Sequence, residues 1–288
     1  MFDARLPHLR DDWAVWAFSD PHGVTSGLRQ ALREAGLIDA AGHWSAAHGT
    51  ALVGCGDYID RGGDIPGTVA LLQRLQAEAE AAGGAVIPAL GNHESMLLMI
   101  RAGRTEWLET WLDYGGRETV AGFGCSEEDA HRPERAIALI ERCQPGLFDW
   151  LETLPQAVRW RDVLFVHGGL APDVGPADLG LTTEEHLWIR ASFFQRPWAG
   201  PAFERYRHAG IGRVVFGHTP QWHGPTFYHD GRSWAIDTNA VGNKHAPADA
   251  DQLLTLVGLA GSGTFEDATV ISVPTAGAPD AGDAQGGR

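Results

Sequence analysis

Apolar residues occur in short continuous runs that alternate with segments of helical period. The runs WAVWAF (Trp13–Phe18), TALVG (Thr50–Gly54) and AVIPAL (Ala85–Leu90) are bounded by polar and glycine-containing clusters. Runs of this length predict strands buried on both faces. Between them, Val24–Gly36 places Leu28, Ala31, Leu32 and Ala35 on one helical face. Pro66–Gly83 predicts a second helix, with proline near its start and glycine past its end. A third helix is predicted to begin with ESMLLMIRAG after Asn92-His93. This order, βαβαβ, implies parallel pairing through right-handed crossovers.

The next segment, Arg104–Leu154, reads as mostly helical, interrupted by the Gly-rich turn YGGRETVAGFG. DVLFVHGG returns to a strand, and a helix is predicted around Thr183–Phe194. GRVVFGH, GPTFYHD, RSWAIDT, DQLLTLVGL and ATVISV then follow as closely spaced strand candidates, which predicts an antiparallel-rich second half. With no linker and no internal repeat, we read one α/β domain over residues 1–273, with a helical insert at about 104–154. The stretch 274–288, built from Pro, Gly, Ala and Asp, reads as a disordered tail.

Each predicted strand of the parallel unit ends in polar residues. SDPHG follows the first, GCGDYIDRGG the second and GNHE the third, while LFVHGG and VVFGH end in His167 and His218. In open α/β sheets, ligands bind outside the carboxyl ends of strands. Each cluster also has an ordinary reading. Asp20-Pro21 makes a turn, Asn92 caps a helix, Asp57 and Asp60 are loop charges, and His167 and His218 are satisfied core histidines. Those readings would have to hold five times, always at a strand's carboxyl end. Carboxylate, imidazole and amide oxygen together suit Mn, Fe or Zn. Their number suits a pair of metals, ~3.5–4 Å apart in two-metal phosphatase sites.

Charge and composition narrow the partners. The formal net charge is −15, from 37 acidic and 22 basic residues, and Lys244 is the sole lysine. Broad nucleic-acid binding needs many phosphate-neutralising cations, so that class is set aside. No apolar run reaches the ~20 residues of a membrane helix, and the amino terminus lacks a secretory pattern. Three scattered cysteines, Cys55, Cys125 and Cys143, make neither a disulfide framework nor a CxxC site. A reducing, cytoplasmic setting is expected.

Taken in order, SDPHG, GDYIDRGG, GNHE, HGG and GHT resemble the motifs of the calcineurin-like metallophosphoesterases. The arginine after Asp60 and the glutamate after His93 resemble the phosphoprotein phosphatase branch. That branch holds bacterial and phage-type Ser/Thr protein phosphatases and symmetrical diadenosine tetraphosphate hydrolases. The resemblance implies a two-sheet β-sandwich with flanking helices. It also implies two divalent metal ions, one held by Asp20, His22 and Asp57, the other by Asp57, Asn92, His167 and His218. A hydroxide bridging the metals is then the expected nucleophile. His93 is expected as general acid to the leaving group, Asp60 as its orienting partner, and Arg61 as a phosphate ligand. Arg190, in HLWIRASFF, is expected as a second phosphate ligand, ahead of Arg196 and Arg207. One departure is visible: Ser19 stands where the family usually has glycine, and only a local backbone difference is expected from it.

The expected substrates are phosphomonoesters, with a Ser/Thr phosphoprotein first, then a small phosphoester or a dinucleoside polyphosphate. A non-catalytic scaffold on the same fold is disfavoured because every expected residue is present. Asp237 reads as a supporting acceptor for a metal-binding histidine. His223, His229 and His245 read as surface groups, ahead of a place lining the entrance, and Trp107, Trp111 and Trp150 read as core. Cys55 reads as packing, and Glu94 as a buttress of the loop and helix start.

Overall fold

The computed structural model describes residues 6–172, 184–259 and 267–276. Eleven strands are found there: β1 (His8–Leu9), β2 (Ala14–Phe18), β3 (Thr50–Gly54), β4 (Ala85–Pro88), β5 (Ala157–Trp160), β6 (Val163–Val166), β7 (Arg213–Phe216), β8 (Thr226–Tyr228), β9 (Ser233–Ala235), β10 (Leu253–Leu259) and β11 (Thr269–Pro274). They form two sheets, ordered β11-β10-β2-β3-β4 and β1-β5-β6-β7-β9-β8.

Alternation along the strands builds the layers. Val15 and Ala17 of β2, Ala51 and Val53 of β3, Val163 and Phe165 of β6, and Val215 of β7 share one apolar cluster. The residues between them point the other way. Phe18 and Leu52 join the cluster under the helices of the first sheet, and Leu164, Val166, Val214 and Phe216 join a third cluster. Burial on both faces explains why these strands read as continuous apolar runs rather than alternating ones.

The helices α1 (Thr25–Glu34), α2 (Ile65–Ala81) and α3 (Asn92–Arg101) cover the outer face of the first sheet. Strands β2, β3 and β4 pair in parallel, as the βαβαβ order requires. The second half is mixed. Pairs β5–β6, β8–β9 and β10–β11 are antiparallel, but β6–β7 and β7–β9 are parallel. Strands β1 and β5 carried no sequence prediction. The first is two residues long, and the second follows Pro155 at the end of a helical stretch.

Residues 104–154 hold α4 (Leu108–Trp111), a π-helical turn at Leu112–Gly116, α5 (Arg117–Gly122), α6 (Glu127–Ala130), α7 (Pro133–Cys143) and α8 (Leu147–Thr153). The helix expected at Thr183–Phe194 is two short ones, α9 (Glu185–Trp188) and α10 (Ala191–Phe194), and Thr183 lies outside the described residues. The chain is extended at Ile189, with ψ 141°, and this break sets Arg190 at the start of α10. A further short helix, α11 (Glu204–His208), precedes β7. At the other end, Pro274 is the last residue of β11 rather than the first of a tail, because β11 pairs with β10 up to that position. Thr275 donates to the Ala240 carbonyl at 2.6 Å, and the remaining tail, 277–288, lies outside the described residues.

Candidate active site

The register aligns the loops. Phe18, Gly54 and Pro88 stand side by side at the carboxyl edge of one sheet, and Val166 stands beside Phe216 in the other. The loops that follow are tied together by backbone hydrogen bonds. Asp20 N–H donates to Gly56 O at 3.1 Å, His22 N–H to Asp57 O at 3.0 Å and Gly217 N–H to His167 O at 2.8 Å. The left-handed region is occupied by Asp20 (φ 51°), His22 (42°), Asp57 (60°), Asp60 (71°), Arg61 (69°) and His218 (64°). Non-glycine residues avoid this region, and strain of this kind gathers at functional sites. Close approach also demands Gly91. A Cβ there would lie 2.2 Å from Asp57 Oδ1.

Among the described residues, two buried groups could hold a metal ion: His22, Asp57 and His93, and Asp57, His167 and His218. Asp57 is common to both. The tautomers are fixed from behind. His22 Nδ1–H donates to Ile59 O at 2.8 Å, and His167 Nδ1–H donates to Cys55 O at 2.7 Å. In each ring Nε2 is left as the ligand atom, the usual arrangement behind metal-binding histidines. His167 Nε2 faces Asn92 Oδ1 at 2.7 Å and Asp57 Oδ1 at 3.3 Å. Two oxygens and a ring nitrogen converge there, a donor set that suits a cation once the ring gives up its Nε2 proton. The residues therefore fit a metal ion. Burial disfavours a charge on His167, but the facing Asp57 outweighs it and raises the pKa to about 9. Burial likewise opposes ionisation of Asp57, yet the charges of His167 and His93 hold it well below the usual carboxylate range. Burial and Arg61 push His22 well below its ordinary value, and burial and His167 do the same to His218.

Asp20 is placed differently from the two groups. Its carboxylate accepts the backbone N–H of His218, at 3.0 Å to Oδ2 and 3.2 Å to Oδ1, and the hydroxyl of Ser19. Burial and the nearby Asp237 raise its pKa well above the ordinary value. Ser19 thus brings a side-chain contact, more than the local backbone change expected of it. The histidine partner expected for Asp237 is not found among the described residues. Its carboxylate accepts the Asn239 N–H at 3.0 Å.

Next to the metal-type groups lies a relay. Asp60, wholly buried, accepts His93 Nδ1–H at 2.6 Å. Trp111 Nε1–H donates to the same carboxylate, at 2.9 Å to Oδ2 and 3.2 Å to Oδ1. The Thr119 hydroxyl donates to Oδ1 and accepts the Asp60 N–H at 2.9 Å. No motif in the sequence marks Trp111 or Thr119 for this part; Trp111, expected as core, is both buried and a donor. Arg61 donates to His22 Nε2 at 2.7 Å and to His93 Nε2 at 2.8 Å. Its backbone N–H and Nε–H are taken by Gly115 O at 3.1 Å and Tyr114 O at 3.2 Å. Glu94 buttresses all of this. Its oxygens accept the N–H groups of Asp57 and Gly91, each at 3.0 Å, of Tyr58 at 2.7 Å and of Ile59 at 3.2 Å. Burial pushes its pKa up to about 7, against four donors that favour the ionised form.

The site opens into a cleft of about 910 Å³ bordered by Arg61, Asn92, His93, Tyr114, Trp188 and Arg190, among others. Arg190 donates to His218 O at 2.6 Å, so one arm steadies the His218 loop while the residue borders the cleft. Arg207 instead spends its donors on the carbonyls of Trp198 and Gly200, and Arg196 is not among the cleft residues. Of the late histidines, His245 borders the cleft, and His229 is held by Ser233 Oγ at 2.7 Å and Arg196 O at 2.9 Å. Trp150 donates to Gln76 at 2.6 Å, and Trp107 stacks on Trp188, with ring centroids 6.1 Å apart. Cys55 is buried in the inter-sheet core, which pushes its thiol up in pKa. Among the described residues, no helix is long and apolar enough to cross a membrane.

Known proteins resemble this chain to different extents. The chain is 41% identical over 80 residues to Shewanella-like protein phosphatase 2 of Arabidopsis thaliana, a match to 28% of this chain and 20% of that one. It superposes on a protein serine/threonine phosphatase from Saccharomyces cerevisiae with a TM-score of 0.55 and 15% identity, covering 96% of this chain and 85% of that one. A cold-active protein tyrosine phosphatase gives a TM-score of 0.55 and 20% identity, over 92% of this chain and 83% of that one. At these identities the two superpositions speak for the fold alone. The calcineurin-like phosphoesterase family matches residues 14–250, a span that contains both metal-type groups and the Asp60–His93 pair, and the chain belongs to that family.

Proposed function

We propose that the protein is a metal-dependent phosphomonoesterase of the Ser/Thr protein phosphatase kind. The observation that carries this reading is the Asp60–His93 pair, set beside Asp57 and Arg61 at the edge of the open cleft. In this reading Asp20, His22 and Asp57 hold one divalent cation, and Asp57, Asn92, His167 and His218 hold a second. The nitrogen and oxygen donors suit Mn, Fe or Zn. When bound, such ions supply an activated water and neutralise phosphate charge.

The chain's own groups supply the rest. Arg61 binds the phosphate oxygens, and in doing so releases His93 Nε2, which it holds at 2.8 Å. Once freed, His93 takes up a proton at Nε2 from water, Asp60 stabilises the resulting imidazolium from the Nδ1 side, and that proton passes to the leaving oxygen. Arg190 steadies the His218 loop and offers its remaining donors to the substrate. The reading that competes is hydrolysis of a dinucleoside polyphosphate, favoured by the aromatic Trp188 that borders the cleft. Turnover of a phosphoserine peptide, p-nitrophenyl phosphate and diadenosine tetraphosphate, each with added Mn, decides between them. The proposal expects the peptide to be preferred over the dinucleotide, and the opposite preference overturns it.

A further inference from the structure

The cleft carries charges that the chemistry above leaves unused. Asp113 and Glu118 border it from the segment that also holds Arg61, and Lys244 and His245 border it from the loop after Asp237. The four side chains are exposed, and none has a hydrogen-bond or ion-pair partner among the described residues. In a chain with one lysine and a net charge of −15, the placement of that lysine at the cleft is informative.

Both segments are held firmly. Gly115, at φ 114°, sits in the π-helical turn between Asp113 and Glu118. Its carbonyl accepts Arg61 N–H at 3.1 Å, so the acidic pair keeps its place beside the phosphate-binding arginine. The basic loop is braced by two asparagines. Asn239 Oδ1 accepts Asn243 N–H at 2.7 Å, Asn239 Nδ2–H donates to Asp251 O at 3.0 Å, and Asn243 Oδ1 accepts His245 N–H at 2.8 Å. Lys244 therefore projects from a fixed backbone.

Building on the phosphomonoesterase reading, we propose that the cleft reads charge on both flanks of a phosphorylated polypeptide. A basic side chain on one flank of the phosphoresidue lies against Asp113 and Glu118, and an acidic side chain on the other flank lies against Lys244 and His245. Charge complementarity selects this occupant. A polyphosphate chain would bring further anions toward Asp113 and Glu118, where like charges repel. A polypeptide can carry either sign on either side.

The test uses the full chain and four phosphoserine peptides of equal length, flanked by Arg/Asp, Asp/Arg, Asp/Asp and Arg/Arg. Each rate is divided by that of the same preparation on p-nitrophenyl phosphate, so differences in folding or metal content cancel. We expect one mixed order to be preferred, by about 1.5- to fivefold in kcat/KM per matched charge, the range of exposed pairs. Lys244→Glu reverses the preference for Asp on its own flank only. The double variant D113K/E118K reverses the preference for Arg on the other flank only. Both preferences shrink as salt rises. Equal turnover of the four peptides, or variants that shift all four by one factor, overturns the flank reading and leaves the phosphomonoesterase reading standing. Hydrolysis of diadenosine tetraphosphate with no turnover of any peptide overturns both.

Discussion

Replacing Trp111 by phenylalanine removes one N–H and keeps an aromatic ring in the core. That N–H lies 2.9 Å and 3.2 Å from the two Asp60 oxygens, and Asp60 Oδ2 is the atom bonded to His93 Nδ1 at 2.6 Å. A hydrogen bond to a buried charged group is worth about 1.5–3 kcal/mol. If the whole of it holds Asp60 in place for His93, kcat falls by roughly 10- to 100-fold. Thr119 still donates to Oδ1, so the lower half of that range is expected. The loss should depend on the leaving group. A serine alkoxide must be protonated as it departs, and nitrophenolate leaves well without a proton. We therefore expect about tenfold or more on a phosphoserine peptide and less than about threefold on p-nitrophenyl phosphate. Metal content and a thermal melt of the same variant separate this from simple unfolding. An equal loss on both substrates would refute the reasoning, because Trp111 would then act on the fold and not on the proton.

Asp57 is shared by both metal-type groups, so Asp57→Asn should lose bound metal and activity together, read by elemental analysis beside turnover. In contrast, His93→Asn should keep its metal and lose about 10²–10⁴ in rate on alkyl phosphates, and full activity there would dismiss the acid role. Binding of Mn should release protons near neutral pH. His167, with its pKa raised to about 9, must give up its proton to bind, while His22 and His218, pushed well below their ordinary value, have none to give. Apparent affinity therefore rises with pH up to about 9, by about tenfold per unit from this group, and calorimetry in buffers of differing ionisation heat should count one proton from His167 and a further share from Asp20, whose carboxyl is raised well above its ordinary value. Finally, Glu94→Gln leaves buried N–H groups facing an amide nitrogen, and should destabilise the metal-free protein by roughly 2–4 kcal/mol in denaturant titrations.

The parallel βαβαβ unit and the convergence of polar loops were legible in the linear sequence because both rest on local physics, whereas the two-sheet sandwich was implied only by the family resemblance. Apolar runs buried on two faces announce strands, and a strand that ends in Asp, Asn or His announces where its carboxyl edge lies. Asp57, Asn92, His93, His167 and His218 could be named that way, and the structure brings them together. Tertiary structure alone decided how each of them is held. Trp111 and Thr119 reach Asp60 across more than fifty residues, from a helical stretch whose period reported only burial. The break between α9 and α10 that sets Arg190 at the cleft comes from packing, since the run HLWIRASFF reads as one helix. The helical pattern stops short of β5 because a four-residue strand after a proline has too little period to show. Lys244 is a single letter with no motif around it. Its position beside the cleft exists only once the loop is folded back by Asn239, whose side chain bonds Asn243 N–H and Asp251 O, contacts that no periodicity in the sequence announces.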